Sequence, residues 1–121
     1  MKSIIFFLSA ITFISTAGKT QNLIEVCENK TTHIISNEKI TYLQVGDHSK
    51  IIAEVVHEHP DLIRIKAVEN FEGESSLAIV SAGKVYSLFV KYADTNQLSR
   101  RLEDFHSIKI SGTGNGKAPE Y

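Results

Sequence analysis

From Asn22 to Tyr92, apolar residues recur at alternate positions in short runs separated by turn formers. Alternation of this kind is the period of β-strands, whose successive side chains point to opposite faces. The pattern predicts seven strands, at residues 22–27, 31–35, 40–45, 50–57, 62–68, 76–81 and 84–92. The clearest is 62–68, where Ile63, Ile65 and Ala67 share one face and Arg64 and Lys66 the other. In 84–92, Tyr86, Leu88, Val90 and Tyr92 form the longest apolar face of the chain, opposite Ser87 and Lys91, and are expected at the centre of the core. Turn signals fall between the runs: Glu28-Asn29-Lys30, Gly46-Asp47, His59-Pro60-Asp61 and Ala82-Gly83. The proline is expected to break the ladder, and Gly83 supplies the positive φ of a tight hairpin. Phe71, inside the polar loop 69–74, is expected to tuck its ring over the core.

Seven short strands with frequent turns predict an all-β fold, an antiparallel β-sandwich. The period changes after Ala93. Leu98, Leu102 and Phe105 stand at helical spacing behind Asp94 or Thr95, either of which suits an N-cap. Residues 94–121 are therefore read as a short helix or a linker, with a further strand at 107–111 and a flexible run in Gly112-Thr113-Gly114-Asn115-Gly116.

The first residues have a different character. Lys2 precedes the apolar run 4–14, and Ser15-Thr16-Ala17 follows. Charge, apolar run and small residues in that order are those of a secretory signal peptide. Cleavage is expected between Ala17 and Gly18, leaving a β-domain from 18 to 93. The run is shorter than the roughly 20 residues of a membrane span, so no span is expected after cleavage. The whole chain carries 13 basic and 14 acidic residues and a net charge of −1; removal of 1–17 takes away Lys2 alone. A mature chain with no basic excess argues against a dedicated binder of nucleic acid or anionic membrane. The single Cys27 forms no internal disulfide and, following Leu23, Ile24 and Val26, is expected to be buried.

Candidate chemistry is sparse. His57-Glu58-His59 places two imidazoles on one strand face, a spacing that suits a metal. No acid or third histidine stands at a fixed offset, so the pair is read as exposed loop residues. The glycine-rich run lacks the strand, helix and Lys-Ser/Thr ending of a phosphate loop, and no serine lies in a Gly-x-Ser-x-Gly elbow. The expectation is a non-enzyme without cofactor or metal.

The order of signals resembles a known family. The runs KTTHII, ITYLQVGD, LIRIKA, SLAIVS and KVYSLFVKYAD, with the Gly46-Asp47 turn, the Ser76-Leu77 start and Tyr86 near the beginning of the next strand, are similar to the TraN family of Bacteroides-type conjugative transposons. More remotely they are similar to the N-terminal β-sandwich of the outer-membrane core subunit of type IV secretion systems. The resemblance spans about Asn22 to Asp94 and its motifs are structural: Gly46, Asp47, Gly83, Tyr86, Leu88 and Val90. It implies a non-catalytic, exported subunit of a conjugative transfer apparatus, in the periplasm or at the outer membrane. Such a subunit assembles with other apparatus proteins and with copies of itself, without direct contact to nucleic acid. Members of the family look two-lobed, so the present chain resembles an N-terminal lobe, with residues 94–121 expected as a linker or the start of a missing C-terminal domain. The competing reading is a small periplasmic β-barrel that binds a ligand or acts as an inhibitor.

Overall fold

The computed structural model describes residues 22–110; the expected cleavage point at Ala17–Gly18 and the glycine-rich run lie outside the described residues. Among them are nine strands: β1 (Leu23–Val26), β2 (Thr32–Ile35), β3 (Ile40–Val45), β4 (Ile51–Val56), β5 (His59–Ala67), β6 (Glu74–Ser81), β7 (Lys84–Tyr92), β8 (Ser99–Arg101) and β9 (Ile108–Lys109). One sheet has the order β1-β7-β6-β3, with β9 also on β7; the other has the order β4-β5-β2-β8. The chain is an all-β sandwich. With β2, β5 and β4 in one layer and β3, β6 and β7 in the other, the partition is that of immunoglobulin-type sandwiches. Two pairings depart from a purely antiparallel sandwich, since β1 runs parallel to β7 and β8 parallel to β2.

The alternation read from the sequence determines which side chains meet between the layers. Ile63, Ile65 and Ala67 of β5 and Tyr86, Leu88 and Val90 of β7 are buried as expected, with Leu77 and Ile79 of β6 beside them, whereas Tyr92 is only half-buried at the edge of the core, where its strand ends. They pack in one cluster with Ile24, Val26, Ile34, Ile40, Val45 and Ile51, and Phe71 closes over its edge against Tyr92 in an edge-to-face contact with centroids 5.8 Å apart. Cys27 is buried. The β6–β7 hairpin turns through Ala82 (φ 53°) and Gly83 (φ 73°), both left-handed, which is the two-residue turn that matches strand twist. Gly83→Val, at a site with open space around it, is expected to destabilise by about 1–2 kcal/mol from backbone strain alone, measurable as a lower midpoint of urea unfolding.

Three expectations are corrected. The hairpin after β4 turns at His57-Glu58, not at His59-Pro60-Asp61: Val56 pairs with His59, and the ladder slips between Val55 and Val56. Pro60 sits near the start of β5, where the irregular register spares it from donating a ladder hydrogen bond. Second, β9 falls within the further strand expected at 107–111, but β8 is a strand that the sequence did not suggest. Third, up to Ile110 the segment after Ala93 is neither helix nor linker. Thr95 is buried and its Oγ1 accepts the Gln97 N–H at 3.0 Å, closing a local turn where a helix N-cap was expected. The backbone then joins the second sheet as β8, passes through a single 3-10 turn, Leu102–Asp104, and returns to β7 as β9. Leu102 and Phe105 are buried because that one turn delivers both to the core, while Arg100 lies over the Phe105 ring, 4.6 Å from its centroid. Helical spacing and a tight turn followed by one extended residue put the same two side chains on one side, and only packing distinguishes them.

Asn22 joins the two strands that share one side of β7. Its Nδ2 donates to Ser87 O at 3.0 Å and His106 O at 2.9 Å, and its Oδ1 accepts the His106 N–H at 2.8 Å. One side chain thus satisfies the backbone in the gap between β1 and β9.

Candidate interaction surface

The residues able to do chemistry are dispersed. His33 stands on the outer face of β2 opposite Arg64; His57 and His59 are exposed together at the β4–β5 hairpin, and His48 and His106 are exposed elsewhere. Among the described residues no group of three His, Cys, Asp or Glu is placed to hold a metal. The most concentrated polar cluster is Ser36, Ser81 and Glu103. Glu103 Oε2 accepts the Asn37 N–H at 2.8 Å and the Ser36 hydroxyl at 3.2 Å, and Ser36 Oγ lies 3.2 Å from Ser81 Oγ. The Ser81 hydroxyl also reaches Lys39 O at 3.0 Å. This cluster ties the C-terminal turn to the β2–β3 loop. Next to it, burial and then the Glu103 charge raise the Tyr86 phenol above its ordinary pKa, keeping it neutral within the core.

The Gly46-Asp47 turn is a rigid corner between the layers. The Gly46 N–H donates to Ser76 O at 2.9 Å, and a Cβ at this position would run into the Ser76 hydroxyl. The Asp47 N–H donates to Ser75 Oγ at 3.0 Å; Asp47 Oδ1 accepts the Ser49 hydroxyl at 2.6 Å and the Ser49 N–H at 3.0 Å. These two bonds hold the carboxyl below the usual aspartate pKa. A lowered folded-state pKa means that the turn is stabilised above the unfolded aspartate pKa, and that this contribution is lost as pH falls through the folded value. The role is structural.

The outer faces of the two sheets differ in make-up. That of β4-β5-β2-β8 mixes charged and apolar residues, with Glu54 paired to Arg64, with Lys66, His33 and Arg101 beside them, and with the exposed Ile52 and the half-buried pair Ile35 and Leu62 on the same side. That of β1-β7-β6-β3 and β9 carries an apolar row across four strands. Tyr42 pairs with Val80, Val80 with Val85, and Val85 with Ile108. Ile108 is 70% exposed and Tyr42 51%. Four residues beyond Val85 along β7, Phe89, 52% exposed, lies between Leu23 and Ser76. Open grooves flank its ring, one lined by Gly46, Glu74 and Ser76, the other by Asn22, Leu23 and Glu74.

The sequence pattern placed Gly46, Asp47, Gly83, Tyr86, Leu88 and Val90 in the framework, and of these Gly46 and Asp47 border this face beside Phe89. It missed Tyr42, Val80, Val85, Phe89 and Ile108. A signal was present in 84–92, where Val85 and Phe89 make the face opposite Tyr86, Leu88 and Val90 apolar as well. A strand with one solvated face would alternate more strictly.

The comparisons with known proteins bear on the framework. No curated protein matches the chain. One family model, described as "Domain of unknown function (DUF8473)", matches residues 24–96, which run from β1 to just beyond β7 and leave β8 and β9 outside the match. Covering more than half of the chain and its seven principal strands, this match shows that the protein belongs to the DUF8473 family.

Proposed function

We propose that this domain is a non-catalytic assembly module that works by docking to other proteins through the outer face of the β1-β7-β6-β3 sheet. One observation carries the reading. Apolar side chains, among them the exposed Tyr42 and Ile108, stand in register across four strands on that face, whereas the opposite face of the sandwich interleaves Glu54, Arg64 and Lys66 with its apolar residues. A contiguous exposed apolar patch on a small domain marks an interaction site more often than solvated surface. The polar clusters around Glu103 and Asp47 bond backbone groups of neighbouring loops, which supports a protein without catalysis.

The finer reading is a subunit of a conjugative transfer apparatus, exported to the periplasm and associated with the outer membrane. Its support is the order of motifs that resembles the TraN family, together with the charge, apolar run and small residues of 1–17. No helix among the described residues is long and apolar enough to cross a membrane. A ligand-carrying barrel has less support, because the space between the sheets is filled by the apolar cluster.

Two measurements in the native host test this. N-terminal sequencing is expected to find Gly18 as the first residue of protein recovered from the cell envelope; an intact Met1 defeats the export reading. A photo-crosslinking residue in place of Phe89 is expected to form a defined protein adduct that the same residue at Ile52 does not. If neither position yields one, or both yield the same one, the face is not the docking surface.

A further inference from the structure

We propose that β3 pairs edge to edge with β3 of a second copy of this chain, antiparallel about a two-fold axis through Gln44. The inference goes beyond the docking reading above, since it concerns the rim of the sheet and stands whatever the outer face binds. β3 ends its sheet, and among the described residues no strand pairs with its free side. The ladder fixes which backbone groups point there. The Gly46 N–H donates to Ser76 O, so these two form a hydrogen-bonded pair, as by alternation do Gln44 with Ala78 and Tyr42 with Val80. Leu43 and Val45 stand in the intervening pairs with Ile79 and Leu77, and their N–H and C=O groups point away from β6. Val45 O takes a long contact, 3.4 Å, from the side-chain amide of Gln44. Natural edges deter pairing with charges and proline. The other outer strands follow that rule, β1 with Glu25, β4 with Glu54 and β8 with Arg100 and Arg101. Residues 40–46, ITYLQVG, carry no charge and no proline. The irregularity between Ile40 and Tyr42 confines pairing to residues 42–46.

This edge is complementary to itself in one register. A two-fold axis brings an edge onto its own copy in the antiparallel sense. Pairing Leu43 with Val45 of the second copy uses every outward N–H and C=O of both residues. Pairing either residue with itself leaves the other opposite Thr41, in the irregular stretch, or Asp47, whose N–H is held by Ser75. The favoured register sets Gln44 against Gln44 at the axis and Tyr42 against Gly46 of the second copy. All of these side-chain positions lie on the outer face, and the half-buried Leu43 meets Val45 on the inner one. The fit is steric as well. Tyr42 is 51% exposed, and Gly46 leaves a groove bare beside Ser76 and Phe89. An aromatic ring across from an edge glycine covers its backbone. The apolar row that ends at Tyr42 then runs on to Ser76 and Phe89 of the second copy, and the two sheets become one.

Sedimentation equilibrium of the purified protein over a range of concentrations tests the pairing, with circular dichroism and thermal melting to show that each variant folds. A reversible dimer is expected. Tyr42→Ala is expected to weaken it by about ten-fold, as loss of an aromatic anchor does. Gln44→Lys and Gln44→Glu each set like charges across the axis and are expected to weaken it by about five-fold at low salt. An equimolar mixture of these two variants is expected to regain the dimer. Gln44→Cys is expected to form an intermolecular disulfide on mild oxidation, because a non-hydrogen-bonded antiparallel pair holds its Cα atoms about 4.5 Å apart; Ile52→Cys is not. A protein that stays monomeric overturns the pairing. So does a dimer that the Gln44 variants weaken no more than Ile52→Glu does, or that their mixture fails to restore. Either result leaves the Phe89 crosslink, and the assembly reading with it, to be decided separately.

Discussion

Truncating Leu88 to alanine is expected to destabilise the domain by about 2–5 kcal/mol, the range for removing a buried large side chain whose cavity only partly collapses. Leu88 is 1% exposed and lies midway along β7, between Tyr86 and Val90 on the inner face and opposite Leu77 of β6. The strand is bonded along one side to β6 and along the other to β1 and β9, so the backbone has little freedom to close over a void. Against a total of roughly 5–15 kcal/mol for a domain, the loss appears as a much lower urea midpoint at an unchanged slope. Lys66→Ala, on the exposed face of β5, is expected to stay within about 0.5 kcal/mol. If the two variants unfold alike, the inner face of β7 has been misassigned, and with it the partition of the chain into two layers.

Leu102→Ala is expected to have an effect of similar size, about 2–5 kcal/mol, although it lies in the segment whose sequence resembles a helix or linker. Leu102 is fully buried, and Phe105 is buried beside it. Glu103, held by Asn37 and Ser36, fixes the turn from its polar side, and the Leu98 carbonyl accepts the His33 N–H at 2.9 Å. Loss of the leucine therefore weakens β8 and β9 together with the β2–β3 loop, and unfolding is expected to remain a single transition. An effect under about 0.5 kcal/mol, or a separate early transition, shows instead that residues 95–110 are an appendage to a sandwich complete at Tyr92. The family match, which ends at residue 96, makes this variant informative about where the folding unit closes.

Much of the framework was legible in the residues. Ile63, Ile65 and Ala67, and again Tyr86, Leu88 and Val90, declare their buried face by alternation, because a strand between a core and water imposes period two on its side chains. Ala82-Gly83 declares the hairpin, since few residues accept two consecutive left-handed positions. The Asp47 turn, bonded to Ser49, follows from local chemistry. The candidate surface was less legible. Val85 and Phe89 are apolar on the outward face of a strand that is also apolar inward, and periodicity alone cannot say which of two apolar faces meets water.

The sequence by itself determined the class of the fold, the strands from β1 to β7 and the inner faces of the longest, because those are consequences of local period and turn chemistry. Tertiary structure alone decided the rest. The parallel placement of β1 against β7 and of β8 against β2 depends on partners more than 60 positions away in the chain, which no local pattern encodes. The same holds for the path of residues 95–110, where Leu102 and Phe105 satisfy the spacing of a helix but are drawn into the core from a strand and one 3-10 turn. The apolar row from Tyr42 to Ile108 exists only because four strands lie side by side in one register; its residues are scattered from position 42 to 108 and become a surface when the sheet forms.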